Sequence, residues 1–313
     1  MGRYLIGRLA GVAGVLAAVS LITFFLMKAI PAGPFDIMAI KANVAISSGV
    51  KARLEAKYGL DQPVIIQYLR FMRNAASLDF GYSFYYQGQT VREIFQEQWP
   101  YSIQLGVLTM MFSVVVGVGL GIAAGMKQGT LIDFIGTGVS LFCLATPSFV
   151  LALLMQIVFS VKLHWVPTGG WESPRQWVLP VLCNSLGPIL VLQRYTRTSV
   201  VEVIRANYVR TARAKGLPER QVTFVHIFRN ALIPIITVGG PILASLITGS
   251  FFIESIFRIP GIGQFWVSAV QNRDYPLIMA TTIAWTTIIS VTYLVTDVIY
   301  ALVDPRVTYV RGR

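Results

Sequence analysis

The chain has 313 residues, 55% of them hydrophobic and 13% charged, with a mean hydropathy of +0.64, which excludes an ordinary soluble globular domain. The formal net charge of +12 does not mark a nucleic-acid binder, because the basic residues cluster between apolar stretches and are not interleaved with exposed aromatics. Orientation in a bilayer accounts for them better.

At the amino end, Arg3 and Arg8 precede an uncharged run over residues 9–27. The run is longer than the core of a secretory signal and has no clear small-x-small cleavage pattern before Pro31, so a retained first helix is expected. The segment 31–100 is too long for a tight turn and too short for a large domain. A helical pattern crosses it over 50–74, with Leu54, Tyr58, Ile65, Ile66, Leu69 and Met72 apolar and a break at 59–63. A small ordered cap on the outer face is expected there. Further uncharged windows follow, and a helix of about 20 apolar residues crosses a bilayer core about 30 Å thick. The expected spans are six, at about 9–30, 101–126, 134–161, 177–193, 230–253 and 277–300. Each must be helical, since a segment alone in lipid has to satisfy its own backbone groups. The fold class expected is therefore all-α and polytopic.

Several spans are interrupted: Pro147 falls in the third, Pro180, Gly187 and Pro188 in the fourth, Pro234 and Pro241 in the fifth. In the second, Gly117, Gly119, Gly121 and Gly125 contain two Gly-x-x-x-Gly spacings, a pattern that lets helices approach closely. Cys143 and Cys183 lie in apolar stretches and read as small core residues rather than a disulfide or metal pair. Tyr101, Trp165, Trp171, Trp177 and Trp266 fall near outer span ends, where an aromatic belt is expected.

An even number of spans puts both termini on one side. Arg3, Arg8, Lys127, the basic residues between the fourth and fifth spans, and Arg306, Arg311 and Arg313 all fall on that side, so both termini are expected in the cytoplasm.

The cytoplasmic loop 194–229 holds the most informative stretch, residues 208–218, Tyr-Val-Arg-Thr-Ala-Arg-Ala-Lys-Gly-Leu-Pro. Ala206, Ala212 and Ala214 favour helix, Gly216 is placed to end it in a left-handed cap, and Pro218 can open the next helix. Two short helices meeting at a corner are expected. A basic loop that only sets topology and touches head groups is the plainer reading, but small residues beside an exposed helix end suit insertion into a partner's cleft.

This stretch is similar to the cytoplasmic coupling motif of ABC importer permeases, a Glu-Ala-Ala, three residues, then Gly. Arg210, Thr211 and Ala212 stand where Glu-Ala-Ala would, and Gly216 matches the glycine. The first position departs from the general pattern and the proline comes late, at Pro234. Those departures resemble the first permease of the peptide/opine/nickel branch, which reads Tyr-Val-Arg-Thr-Ala-Arg-Ala-Lys-Gly and then Arg-Asn-Ala-Leu-x-Pro. Further signatures of that family are matched at 58–63, 79–83, 260–263, 272–276 and 304–306. The resemblance implies a type I ABC importer permease, a single transmembrane permease domain over 1–313, in a bacterial or archaeal plasma (inner) membrane. It implies as partners a second homologous permease, two ATP-binding subunits, an external or periplasmic solute-binding protein and membrane lipid, with no nucleic acid. Arg210, Thr211, Ala212, Arg213, Ala214, Lys215 and Gly216 would couple to the ATPases. The solute implied is a dipeptide or oligopeptide, with a nickel complex, an opine or an oligosaccharide as alternatives.

No catalytic site is expected in this chain: there is no Gly-x-x-x-x-Gly-Lys-Ser/Thr loop and no Gly-x-Ser-x-Gly. No cofactor or metal is expected either, ATP and magnesium belonging to the partners; His164 and His226 have no neighbouring ligand at metal spacing. Glu254 and Arg258 lie one turn apart and are candidates for an ion pair, and Asp297 near the inner end of the last span for structural pairing or a role in the pathway. A secondary transporter is the rival class. It would show ionisable coupling sites at mid-membrane, and the central thirds of these spans carry almost none.

Overall fold

The structure, a computed structural model, describes residues 2–31, 33–42, 47–131, 133–134, 138 and 146–303. Four described helices are long and apolar enough to cross a membrane: Ile6–Ala29, Val91–Met126, Pro174–Ile204 and Tyr275–Val298. Shorter apolar helices, Ser148–Lys162 and Thr237–Ile247, fall where the third and fifth spans are expected. Much of the third span and Cys143 lie outside the described residues, as do Asp304, Pro305, Arg306, Arg311 and Arg313. The chain divides into two compact units, one of Met1–Tyr101 with Pro260–Val291 and one of Ser102–Ile259 with Thr292–Arg313.

In the first unit, the 31–100 segment is helical where the pattern requires it. Helix Ser48–Tyr58 ends at Gly59, whose φ of 67° is the left-handed conformation that glycine adopts without steric cost, and helix Val64–Ala76 follows Pro63. An earlier helix, Pro34–Ala42, was not signalled by the pattern. Tyr68 ties the segment to the first helix, its hydroxyl 3.0 Å from Ser20 Oγ and its ring 5.4 Å from Phe24. The core joins Phe24 and Met27 to Val91, Ile94, Ile262 and Leu277.

The fixed point of this unit is Asp274, fully buried just before the last helix, Tyr275–Val303. Its carboxylate accepts from Ser83 Oγ, from the Phe84 N–H at 3.1 Å and the Tyr85 N–H at 3.2 Å, and from the Leu277 N–H at 3.4 Å. It thereby caps the helix and pins the Asp79–Ser83 turn to it. A buried charge is tolerable only when its lone pairs are satisfied in this manner.

In the second unit, Gly117, Gly121 and Gly125 line the face of their helix that meets Pro174–Ile204. A Cβ on Gly121 would stand 2.5 Å from Thr196 Cβ and 2.7 Å from the Gln193 carbonyl oxygen; one on Gly125 would stand 2.8 Å from Val200 Cγ1. Gly119, off that face, has nothing within 4 Å. The contact is the close helix approach that the four-residue spacing predicts.

Three boundaries differ from the apolar windows. The second membrane helix starts at Val91, not near 101, because Thr90 and Glu93 cap it reciprocally, Thr90 N–H to Glu93 Oε2 at 2.8 Å and Glu93 N–H to Thr90 Oγ1 at 3.2 Å. It continues through Pro100, and residues 114–118 take a wider π-helical turn. The fourth helix runs from Pro174, capped by Ser173 and Gln176, through Pro180 and Pro188 to Ile204, so the basic loop begins as helix. Pro147 is extended, with ψ at 133°, and helix begins at Ser148.

Asp133 and Arg197 hold the 126–134 turn against the fourth helix with two hydrogen bonds, at 2.5 and 2.7 Å. The guanidinium, with the Gly129 N–H, holds the Asp133 carboxyl down at about 2. Trp171 is not a belt residue: it is buried, donates Nε1 to Gln104 at 2.9 Å and stacks on Trp177 at 5.5 Å. Cys183 is buried in the same cluster, as expected.

Gly121→Ala should destabilise the protein by about 1–3 kcal/mol through overpacking, while Gly119→Ala should be neutral. Thermal unfolding of the two variants in the same detergent checks this; equal transition temperatures would contradict the packing assigned to the stripe.

Candidate coupling surface

Arg210 to Gly216 form a short capped helix and its corner. Ala206 is extended at the start, with ψ at 145°, and helix Asn207–Ala214 follows. Thr211 Oγ1 donates to the Asn207 carbonyl at 3.0 Å, inside the same turn. The helix ends as the sequence requires: Gly216 has φ of 74°, its N–H donates to the Arg213 carbonyl at 2.9 Å, and the Leu217 N–H reaches the Ala212 carbonyl at 3.4 Å. Pro218 then leads into Glu219–Gln221, continued by a π-helical stretch, Val222–Phe228, and the helix Arg229–Ile247.

The two sides of this helix differ. Val209 and Ala212, three residues apart and so on one face, are buried with Val200 of the fourth helix and with Val222, Ile227 and Ala231 leading into the fifth. Arg210, Thr211, Arg213, Ala214, Lys215 and Gly216 are exposed. Tyr208 and Phe224 are exposed aromatics on the same segment, and Phe224 lines a shallow cleft with Pro218, Arg220 and Gln221. Arg213 and Glu219 bridge the corner at 2.7 Å, and the guanidinium holds the Glu219 carboxyl below its ordinary range.

The short helix is capped, and its apolar underside is keyed into the helix Pro174–Ile204 and the start of the helix Arg229–Ile247. Its outer side presents cations, aromatic rings and small side chains.

The other singled-out residues lie elsewhere. Glu254 is fully buried and accepts from Ser102 Oγ at 2.7 Å and from the Ser250 N–H at 3.1 Å, whereas Arg258 is exposed with φ of 54°. The carboxylate thus caps its own short helix, Phe251–Ile256, and anchors it to the second membrane helix. Asp297 is half-buried in the last helix. His164 is exposed at φ of 53°. Reasoning from sequence missed the Asp274 hub and the Asp133–Arg197 pair. For Asp274 a signal existed, an Asp followed by Tyr-Pro, which is a helix start; for Asp133 there was none, since its partner is 64 residues away.

Comparison with known proteins bears on this geometry directly. Residues 117–309 match the family described as "Binding-protein-dependent transport system inner membrane component", and residues 1–106 match its membrane component N-terminal family. The chain is 37% identical to the dipeptide transport system permease protein DppB of Bacillus subtilis over 307 residues, covering 98% of each chain. It is 38% identical to the oligopeptide transport system permease protein OppB of Salmonella typhimurium over 290 residues, covering 92% of this chain and 93% of that one. Among solved structures, the MetNI methionine ABC transporter in an inward-facing conformation matches with a TM-score of 0.55 at 15% identity, over 67% of this chain and 96% of that one; this likeness speaks to the fold. The chain belongs to the family of inner membrane components of binding-protein-dependent transport systems.

Proposed function

We propose that this chain is the first of two permease subunits in an ATP-driven importer of dipeptides or oligopeptides. The observation that carries the reading is the corner of Arg210–Gly216: an exposed, capped helix whose underside, Val209 and Ala212, packs into the ends of two membrane helices. The identity to dipeptide and oligopeptide permeases over almost the whole chain supports the choice of solute.

In this reading six spans cross the inner membrane with both termini in the cytoplasm. A second, homologous permease completes the pathway. Each permease presents its corner to one of two ATP-binding subunits, which hold ATP and magnesium; this chain carries no cofactor and catalyses no reaction. Closure of the ATPases on ATP displaces the corner through Arg210, Arg213 and Lys215, and the shift passes along the fourth and fifth helices to open the pathway outward. A solute-binding protein delivers the peptide at the outer mouth. Glu254 holds structure rather than solute, since its carboxylate is occupied within the fold.

Gly216 is the residue to test. A Cβ there would meet nothing within 4 Å, so only the backbone conformation constrains it. Gly216→Asn, tolerated at positive φ, should keep binding-protein-stimulated ATP hydrolysis by the assembled transporter, and Gly216→Pro, locked at negative φ, should abolish it with the subunits still assembled. Full stimulation in Gly216→Pro, or uptake driven by an ion gradient without ATPases, would overturn the coupling role. For the solute, calorimetry on the cognate binding protein should give affinity for di- or oligopeptides; affinity for nickel chelates, opines or sugars alone would replace peptide as cargo.

A further inference from the structure

Within the first unit an open cavity of about 540 Å³ lies between the first helix, the helix Ile262–Asn272 and the start of the last helix. We propose that it binds one glycerophospholipid, with the phosphate at Arg273 and an acyl chain along the groove. The coupling corner plays no part in this inference.

Chemistry at the two ends of the groove differs as it does in such a lipid. Trp266 and Trp285, ring centroids 5.0 Å apart, form one wall. Leu26, Ile30 and Ile289 line it too and are 61%, 51% and 40% exposed, an apolar surface that water would not tolerate and lipid would. The threonines add little polarity: Thr286 donates its hydroxyl to the Thr282 carbonyl at 2.7 Å, inside its own helix. A peptide in the same groove would bring amide groups that this wall does not satisfy.

Among the described residues that line the groove, Arg273 alone is charged. It stands where two membrane helices emerge: it follows Asn272, precedes the last helix, and donates to the Pro31 carbonyl just past the end of the first. Lys28 sits at the same level, its Nζ 5.1 Å from the Tyr275 ring centroid. Among the described residues that line the groove, none is acidic. A guanidinium offers five donors in a fork that suits phosphate oxygens, and Trp and Tyr belong at the same depth.

Length agrees as well. From Tyr275 to Ile289 the groove follows about 20 Å of helix at about 1.5 Å per residue, against about 15 Å for one leaflet of a core about 30 Å thick. One chain lying from the head-group layer to mid-membrane follows about three-quarters of that span, the remainder, at Tyr275, lying at the head-group layer.

The test uses the assembled importer, purified in mild detergent, with phosphatidylglycerol as the probe and native mass spectrometry to count retained lipid. The wild type should retain one more phosphatidylglycerol per copy of this chain than Thr286→Trp, which fills the groove. Arg273→Gln should weaken retention by about fivefold, the effect of about 1 kcal/mol per basic side chain at the head-group layer, and Arg273→Lys should restore most of it. Glycerol phosphate, which has the phosphate without chains, should not compete. Equal lipid counts in the wild type and Thr286→Trp would overturn the proposal. So would a photo-cross-link from a benzophenone maleimide on Leu26→Cys, with Cys143 and Cys183 replaced by serine, to the second permease, which would make the groove a protein interface.

Discussion

Two small side chains join the exposed corner to the membrane. Val209 and Ala212 are the only residues of the helix Asn207–Ala214 that are buried, and they pack against Val200, Val222, Ile227 and Ala231. Without that contact the corner would be a solvated basic loop. With it, the underside packs against the helix Pro174–Ile204 and the start of the helix Arg229–Ile247, and the Gly216 cap ends the short helix at the corner.

The second and fourth membrane helices are packed through backbone rather than through long side chains. The Gly117, Gly121 and Gly125 stripe brings its helix against Gln193, Thr196 and Val200 of the fourth helix with no room for a Cβ. In lipid, apolar side chains gain little by leaving the solvent, so close backbone contact and satisfied polar groups must supply the cohesion. Asp133 with Arg197, Glu254 with Ser102, and Asp274 with Ser83 are the polar ties. Each is formed between segments distant in sequence, and each satisfies a carboxylate that burial would otherwise penalise.

The corner and its cap were legible in the sequence because they are local: alanines, a glycine at the C-terminus and a proline after it act over a few residues. The break at 59–63 and the glycine stripe were legible for the same reason. Helix ends were less so. Hydropathy windows stop at the first charge, but helices stop at caps, and the boxes at Thr90 with Glu93 and Ser173 with Gln176 extend two helices beyond their apolar windows. The pattern also placed Trp171 at the lipid interface, whereas its indole N–H finds Gln104 in the core. Hydropathy cannot reveal a partner 67 residues away.

The central claim, that the corner faces the cytoplasm and seats an ATP-binding subunit, is tested most directly by chemical access to Lys215→Cys, with Cys143 and Cys183 replaced by serine. A membrane-impermeant maleimide should label it in inside-out vesicles stripped of ATPase subunits, should be blocked when those subunits are present, and should fail on intact cells. Labelling of intact cells from outside, or labelling indifferent to the ATPase subunits, would contradict the account.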